Sequence, residues 1–268
     1  MPNSDEYDLL TALRRLREAR PLVHNITNDV VMNVTANALL AAGASPAMVH
    51  APEEAAEFVR VASALVVNIG TLTAPALEAM LAATAAAREG GIPWVLDPVA
   101  VGATRFRRDA VTRLLQARPT VVRGNASEVL AVATGVRAGR GVDADGASAE
   151  IAGLAASLAR TTGAIVAVTG AVDIVTDGTR SFAITNGDPL LTRITGAGCT
   201  VTALVGAFLG AGRAPLEAAT AALVLVGLAG ERAAEGNPGP GTFQLRLLDT
   251  LAQITPEELA AGAKVRRV

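Results

Sequence analysis

One cysteine, one tryptophan, one tyrosine and one lysine are all that this sequence of 268 residues has of those types. A single thiol, Cys199, cannot close an intrachain bridge, so no disulfide framework holds the fold. The opening residues MPNSDEYDLL are acidic, whereas a secretory leader is basic and then apolar; nothing suggests export, and the cytoplasm is the expected compartment. Aromatics are 3% of the chain against 51% hydrophobic residues, so the core must be built from small aliphatic side chains, which favour close helix-on-sheet packing. The formal net charge of −2 comes with no broad basic field, which argues against nucleic acid or an anionic membrane as a partner and for a small-molecule ligand. No glycine-lysine pair of a P-loop occurs, since the one lysine is Lys264, near the end. GRGVDA (139–144) has the glycine spacing of a dinucleotide fingerprint but follows no strand, and it is set aside.

Long charge-free runs are scarce too. Ile194 to Gly212 spans 19 uncharged residues, long enough to raise a membrane crossing, but it holds five glycines and three threonines. Its one companion is the shorter AATAALVLVGLAG from Ala218. Two buried helices of a globular core explain both.

What is present is a regular alternation. The apolar runs SPAMV (45–49), ALVVNIG (64–70), IPWVLDP (92–98), PTVVRGN (119–125) and AIVAVTG (164–170), bounded by Gly, Pro, Asn or Asp, read as strands. TNDVVMNVTANALLAAG, TAPALEAMLAATAAAREGG and ASAEIAGLAASLARTTG have helical spacing, the first with capping residues at its start. Strand and helix in turn imply parallel strands joined by right-handed crossovers, and continuous apolar strands imply a sheet covered on both faces. Residues 171–187 differ: two strand-like runs flank Asp177-Gly178, a hairpin with a primed turn. Leu204 to Glu231 reads as two helices split near Gly212 and Pro215, EGNPGPGTFQ (235–244) as a loop, and the end as a helix with a basic tail. The expectation is an α/β fold: an αβα sandwich with a mostly parallel central sheet, an antiparallel edge hairpin, and one domain over 1–268.

Ligands of such sheets bind at the carboxyl ends of the strands. Asn68, Gly70 and Thr71, then Asp97, then Arg123, Asn125 and Glu128, then Thr169 follow successive apolar runs and should share one rim. Gly196, Ala197, Gly198 and Cys199 open a helix whose unpaired amides form an anion hole that glycine lets a phosphate approach; close helix-sheet packing would select the same small residues. Asn125 and Glu128, three apart after a strand, suit either a helix cap or a magnesium-shell carboxylate. Asp97 is a solvated strand end or a second such carboxylate. Two acids and an anion hole on one rim suit a nucleoside triphosphate.

VHNITNDVVMNVTANALLAAGASPAM, NIGTL, LDPVAVGAT, RGNASE, AVTGAVDIVTDG and LLTRITGAGCT, in this order and spacing, resemble the hydroxyethylthiazole kinases from about Pro21 to Gln244. The resemblance implies a ribokinase-like fold without a lid sheet. It implies magnesium-dependent transfer of phosphate from ATP to the alcohol of 4-methyl-5-(2-hydroxyethyl)thiazole, in thiamine biosynthesis. Position by position, it places Arg123 and Thr169, with Asn125 beside them, on ATP. Asp97 and Glu128 fall to magnesium, and Asn28, Val30, Met48 and Gly196 to the thiazole. It further implies a homotrimer with sites between subunits, in which Gly70 and Thr71 of NIGTL line a pocket. Asn28 as a helix cap and Met48 as core filler are the plain readings of those two residues. His24 and His50 receive no chemical role.

Most ribokinase-like enzymes carry Gly-Ala-Gly-Asp where this chain, like the thiazole kinases, has Gly-Ala-Gly-Cys. A thiol at a helix N-terminus is expected to have a lowered pKa. On this reading Gly196 to Cys199 bind the transferring phosphoryl while Cys199 orients the alcohol as a weak base or hydrogen-bond partner. Ala100 stands where a glycine is expected in the Asp97-Pro98 loop. The other readings are a hydroxymethylpyrimidine or pyridoxal kinase of the same fold, an acyl-transfer enzyme with Cys199 as nucleophile and His24 or His50 as base, and a non-catalytic ATP sensor.

Overall fold

The computed structural model describes residues 8–135 and 147–268. In chain order its elements are α1 (Leu9–Ala19), β1 (Leu22–Ile26), α2 (Met32–Ala42), β2 (Ser45–Ala47), α3 (Pro52–Phe58), β3 (Ala64–Asn68), α4 (Ala74–Gly90), β4 (Trp94–Asp97), α5 (Arg105–Gln116), β5 (Val121–Asn125), α6 (Ala126–Thr134), α7 (Ala147–Thr162), β6 (Ile165–Thr169), β7 (Asp173–Thr176), β8 (Ser181–Ile184), α8 (Ala197–Gly210), α9 (Pro215–Ala233), α10 (Pro240–Gln253), α11 (Pro256–Gly262) and β9 (Val265–Arg267). The described strands form one sheet in the order β2-β1-β3-β4-β5-β6-β7-β8-β9. Strands β1 to β6 run parallel and β7 to β9 antiparallel, as the alternation and the hairpin predict.

Successive strand residues feed opposite faces. On β3, Val66 joins a core made with α1, α2, α8, α9, α10 and α11, while Leu65 and Val67 join one made with α3, α4 and α5. A third cluster seats α6 and α7 over β6, β7 and β8. Helices α8 and α9 are buried on nearly every side, Val201 to Leu209 and Ala218 to Gly230 without a break, which is why their sequences carry no polar stripe. Among the described residues no helix is long and apolar enough to cross a membrane. Gly206 lets α8 lie against the sheet: a Cβ there would stand 2.6 Å from Val66 Cγ2. Each fully buried Val, Leu or Ile side chain of such a core contributes about 1.5–3 kcal/mol.

Several expectations need correction. Strand β1 went unread because His24 and Asn25 interrupt its apolar run; both are buried, His24 Nε2 lying 2.9 Å from the Val49 carbonyl and Asn25 Nδ2 donating to the Val23 carbonyl at 2.9 Å. Helix α2 starts at Met32 behind Val31, with no side-chain cap, so neither Thr27 nor Asn28 caps it. The hairpin pairs Thr176 with Ser181, and Asp177 N donates to the Arg180 carbonyl, so its turn centres on Gly178-Thr179, one residue later than expected. Gly178 alone of that pair takes a positive φ, 90°, which a glycine in first place of a primed turn accepts. Residues 240–244 are helical, because Pro240 is the first residue of α10, where its missing N–H costs nothing. The basic tail is strand β9, paired with β8. GRGVDA lies outside the described residues.

Candidate active site

The strand order reverses between β1 and β3, the two neighbours that lead away to β2 on one side and β4 on the other. A crevice opens beyond the carboxyl ends of strands at such a point. Two asparagines close over it, Asn28 from the turn after β1 and Asn68 at the end of β3, both buried and joined by a 2.9 Å bond from Asn28 Nδ2 to Asn68 Oδ1. Asn68 is the hub of the site. Its Oδ1 also accepts from Gly70 N at 2.9 Å, and its Nδ2 donates to Asp97 Oδ2 at 2.8 Å and to Cys199 Sγ at 3.2 Å. The orientation of the amide is settled by chemistry: a backbone N–H can only donate and a carboxylate can only accept.

The sequence identified Asn68 as a rim residue without a role; its signal was the polar residue ending a five-residue apolar strand. Thr202, whose hydroxyl donates to Asp97 Oδ2 at 2.7 Å, was missed altogether, although it and Thr200 are the two hydroxyl residues of a helix that is apolar beyond them.

Helix α8 begins at Ala197 with Gly196 as its N-cap, as the sequence predicts. Gly196 takes φ 87°, where a side chain is strained, and a Cβ on it would lie 2.8 Å from Val31 Cγ1. Gly198 lies over the guanidinium of Arg123, since a Cβ there would approach Nη1 to 2.7 Å and Nη2 to 2.8 Å. Arg123, buried, donates from Nη2 to Thr169 Oγ1 at 2.6 Å and stands 3.8 Å from Asp97 Oδ2. A fixed positive charge thus reinforces the positive end of α8.

Asp97 is fully buried and its carboxyl is pushed up to about 6, by burial first, against the pull of Arg123, with Glu128 adding to the rise. Among the described residues its Oδ1 and the Arg123 Nε have no hydrogen-bond partner. A buried polar atom left unpaired costs about 1–3 kcal/mol, so each of these two is favoured to take a further partner. Cys199 departs from expectation. Its thiol is pushed up, not down, because burial and then the charge of Asp97 outweigh the asparagine donors and Arg123. It is a neutral thiol near pH 7, held by Asn68 and, at 3.6 Å, by Asn28 Nδ2.

Glu128 completes a capping box with Asn125: Asn125 Oδ1 accepts from Glu128 N and Glu128 Oε2 from Asn125 N, both at 2.9 Å. Its Oε1 accepts from Ala100 N at 2.9 Å. The cap reading therefore holds, and each carboxylate oxygen keeps a lone pair for a cation. Ala100 itself sits at φ 54°, the left-handed backbone for which a glycine was expected.

A cavity of about 600 Å³ opens beside this cluster. Its lining includes Arg123, Asn125, Thr169, Ala197 and Gly198 together with the apolar Pro189, Leu191, Leu223 and Val226. That volume falls in the range of small-molecule sites. The loop carrying Asn186 and Gly187, also in the lining, is tied by Asn186 Nδ2 and Gly187 N to Glu231 Oε1, whose Oε2 takes the one lysine, Lys264, at 2.9 Å. Asp173, another lining residue that sequence reasoning passed over, accepts from Gly170 N at 2.9 Å, and burial pushes its carboxyl up to about 6.

The remaining expected residues stand apart. Thr71 is exposed and holds Asp29 N at 3.0 Å, while Val30, 66% exposed, and Met48, half-buried, enter neither the asparagine cluster nor the cavity. His50 is a loop residue with Nε2 at 3.2 Å from Thr27 N, and His24 meets Phe58 edge to face.

A sequence profile of the hydroxyethylthiazole kinase family matches residues 13–257. The chain belongs to the hydroxyethylthiazole kinase family. A hydroxyethylthiazole kinase of Granulibacter bethesdensis is 57% identical over 252 residues, 94% of this chain and 92% of that protein. One from Rhizobium etli is 54% identical over 94% of this chain and 98% of its own length. The solved structure of hydroxyethylthiazole kinase from Pyrococcus horikoshii superposes with a TM-score of 0.91 at 48% identity, covering 97% and 98% of the two chains. A ribokinase-like superfamily protein of Enterococcus faecalis, at 14% identity and a TM-score of 0.64 over 96% and 92% of the chains, shares the fold alone. So this kinase family member has the ribokinase-like open sheet that its sequence implies.

Proposed function

We propose that this chain, working as one domain, uses ATP to phosphorylate the hydroxyl of 4-methyl-5-(2-hydroxyethyl)thiazole. One observation carries the reading: Ala197 and Gly198 of the glycine-lined helix start, with Arg123 beneath Gly198, line the 600 Å³ cavity, while the next residue is the asparagine-held thiol, outside that lining. ATP fits the cavity with its base against the apolar lining residues and its phosphates toward Arg123, Thr169, Asn125 and the amides of Ala197, Gly198 and Cys199. The acceptor alcohol lies beside Cys199, Asn28 and Gly70. Catalysis is then positioning and charge stabilisation: the α8 amides and Arg123 meet the negative charge of the transferring phosphoryl, and little is asked of a base. A neutral Cys199 suits that division, orienting the alcohol rather than ionising to receive its proton.

The donor set fits magnesium. Asp97 Oδ1 is an orphaned hard oxygen, Glu128 stands near enough to raise the Asp97 pKa, and among the described residues no three acid, His or Cys groups converge. Magnesium usually takes only one or two carboxylates and completes its shell with water and phosphate oxygens. Bound by Asp97 and Glu128, it would neutralise charge on the phosphates during transfer.

The proposed assembly is a homotrimer in the cytoplasm. Val30 and Leu40, 66% and 59% exposed, lie before and within α2, which packs on the short edge strand β2; a partner covering that edge accounts for their exposure. A partner there also accounts for the distance of Val30 and Met48 from the cluster, since they would complete a neighbour's pocket.

The test is coupled ADP release with magnesium-ATP and, in turn, hydroxyethylthiazole, hydroxymethylpyrimidine, pyridoxal or no acceptor. Turnover that depends on the thiazole supports the proposal. Equal or faster turnover with another alcohol, or binding of ATP with no turnover on any acceptor, refutes it.

A further inference from the structure

We propose that Arg107, which lies outside both substrate sites, is the positioning residue that holds the acceptor half of the active site in shape. It sits in the first turn of α5, half-buried. Its Nη1 donates to the carbonyls of Ile69 and, at 2.9 Å, Val99, and its Nη2 to the carbonyl of Gly70 at 2.6 Å. One guanidinium therefore ties together the loops that follow β3 and β4. Among the described residues it has no carboxylate partner, so its charge serves these carbonyls alone.

Each tie leads to the site. Gly70 is held at both ends of the residue, its carbonyl by Arg107 and its N–H by Asn68, the hub that reaches Cys199 and Asp97. Val99 precedes Ala100, whose N–H is bonded to Glu128 while its backbone sits in the left-handed region. A backbone held there persists only when its surroundings enforce it. Arg107 and its neighbour Arg108, which donates to the Gly102 carbonyl at 3.3 Å, supply that constraint from α5. The task calls for a guanidinium: its planar fork presents separate N–H groups at fixed spacing, where lysine offers one compact ammonium. None of the residues Arg107 touches lines the nucleotide cavity.

The inference rests on the assignment of the acceptor to the Asn28–Gly70 side. Its test compares Arg107→Met, Arg107→Lys and Asn28→Ala in steady-state kinetics with both substrates varied, alongside thermal melts. Arg107→Met is expected to raise the KM for the thiazole alcohol about tenfold or more, the scale of one lost charge-assisted hydrogen bond, while the KM for ATP stays within about twofold. Arg107→Lys, the milder change should the methionine variant fold poorly, is expected to recover part of that loss. A raised thiazole KM in Asn28→Ala with none in Arg107→Met overturns the clamp and leaves the acceptor assignment standing. No rise in either variant overturns the assignment, and the clamp with it. A parallel rise in both KM values that tracks a lower Tm overturns the clamp in favour of general loosening.

Discussion

Replacing Asp97 with asparagine is expected to make Cys199 reactive at lower pH. In the structure one nitrogen, Asn68 Nδ2, reaches Asp97 Oδ2 at 2.8 Å and Cys199 Sγ at 3.2 Å, so the carboxylate oxygen and the sulfur are no more than 6.0 Å apart. At an effective dielectric of about 20, a negative charge at about 6 Å disfavours a thiolate by roughly 3 kcal/mol. Arg123 offsets part of the Asp97 field, so on removing the carboxylate the thiol is expected to titrate lower and to be alkylated about tenfold faster at neutral pH. Burial, the larger cause of the raised pKa, remains in the variant. The assay is the rate of iodoacetamide alkylation against pH, followed by intact mass, with a chelator present. The chain has a single cysteine, so every adduct reports on that site. A midpoint that stays in place or moves upward in a variant of unchanged melting behaviour would refute the assignment of Asp97 as a charge that, added to burial, disfavours the thiolate.

Gly198→Ala would place a methyl 2.7 Å from Arg123 Nη1, and because that guanidinium is bonded to Thr169 the ATP KM should rise about tenfold or more, the effect of one lost charge-assisted contact; an unchanged ATP KM would show that the α8–Arg123 contact does not serve the nucleotide. Ala100→Gly should relieve a left-handed residue at φ 54° and, after the added chain entropy of glycine, raise stability to urea by up to about 1 kcal/mol, whereas a loss would show that the loop is unstrained. Asp97 and Asp173 both have folded pKa values raised to about 6, against about 3.9 unfolded, so the native state holds their protons longer. Their contribution therefore favours folding below about pH 4 and is lost as pH rises through 6; melts of wild type minus Asp97→Asn/Asp173→Asn should show that decline between these limits, and a difference that grows with pH would reverse the sign.

Much of the fold was legible because its determinants are local. Apolar runs ended by Asn, Asp or Gly marked β3 to β6, and a charge-free stretch with too many glycines for a membrane marked α8. Where local pattern and burial part company, reading failed. Strand β1 carries a histidine and an asparagine that only its neighbours make tolerable, and α10 starts inside a proline-glycine cluster that resembles a loop. The site divided in the same way. The Gly196–Cys199 helix start was visible as a string of small residues, but Arg107 was not, since nothing in RFRRD distinguishes the one arginine that turns inward to three carbonyls.

By itself the sequence determined the αβα class, the rim on which polar residues gather and the glycine-rich start of α8, because periodicity, turn chemistry and helix ends depend on neighbours along the chain. Only the tertiary structure decided that Asn28 meets Asn68 across the reversal between β1 and β3, and that Arg123 lies beneath Gly198. It also reversed the expected state of Cys199. A helix start alone favours a thiolate, yet a pKa answers to every charge and every layer of protein around the sulfur, and those are set by packing between segments far apart in sequence.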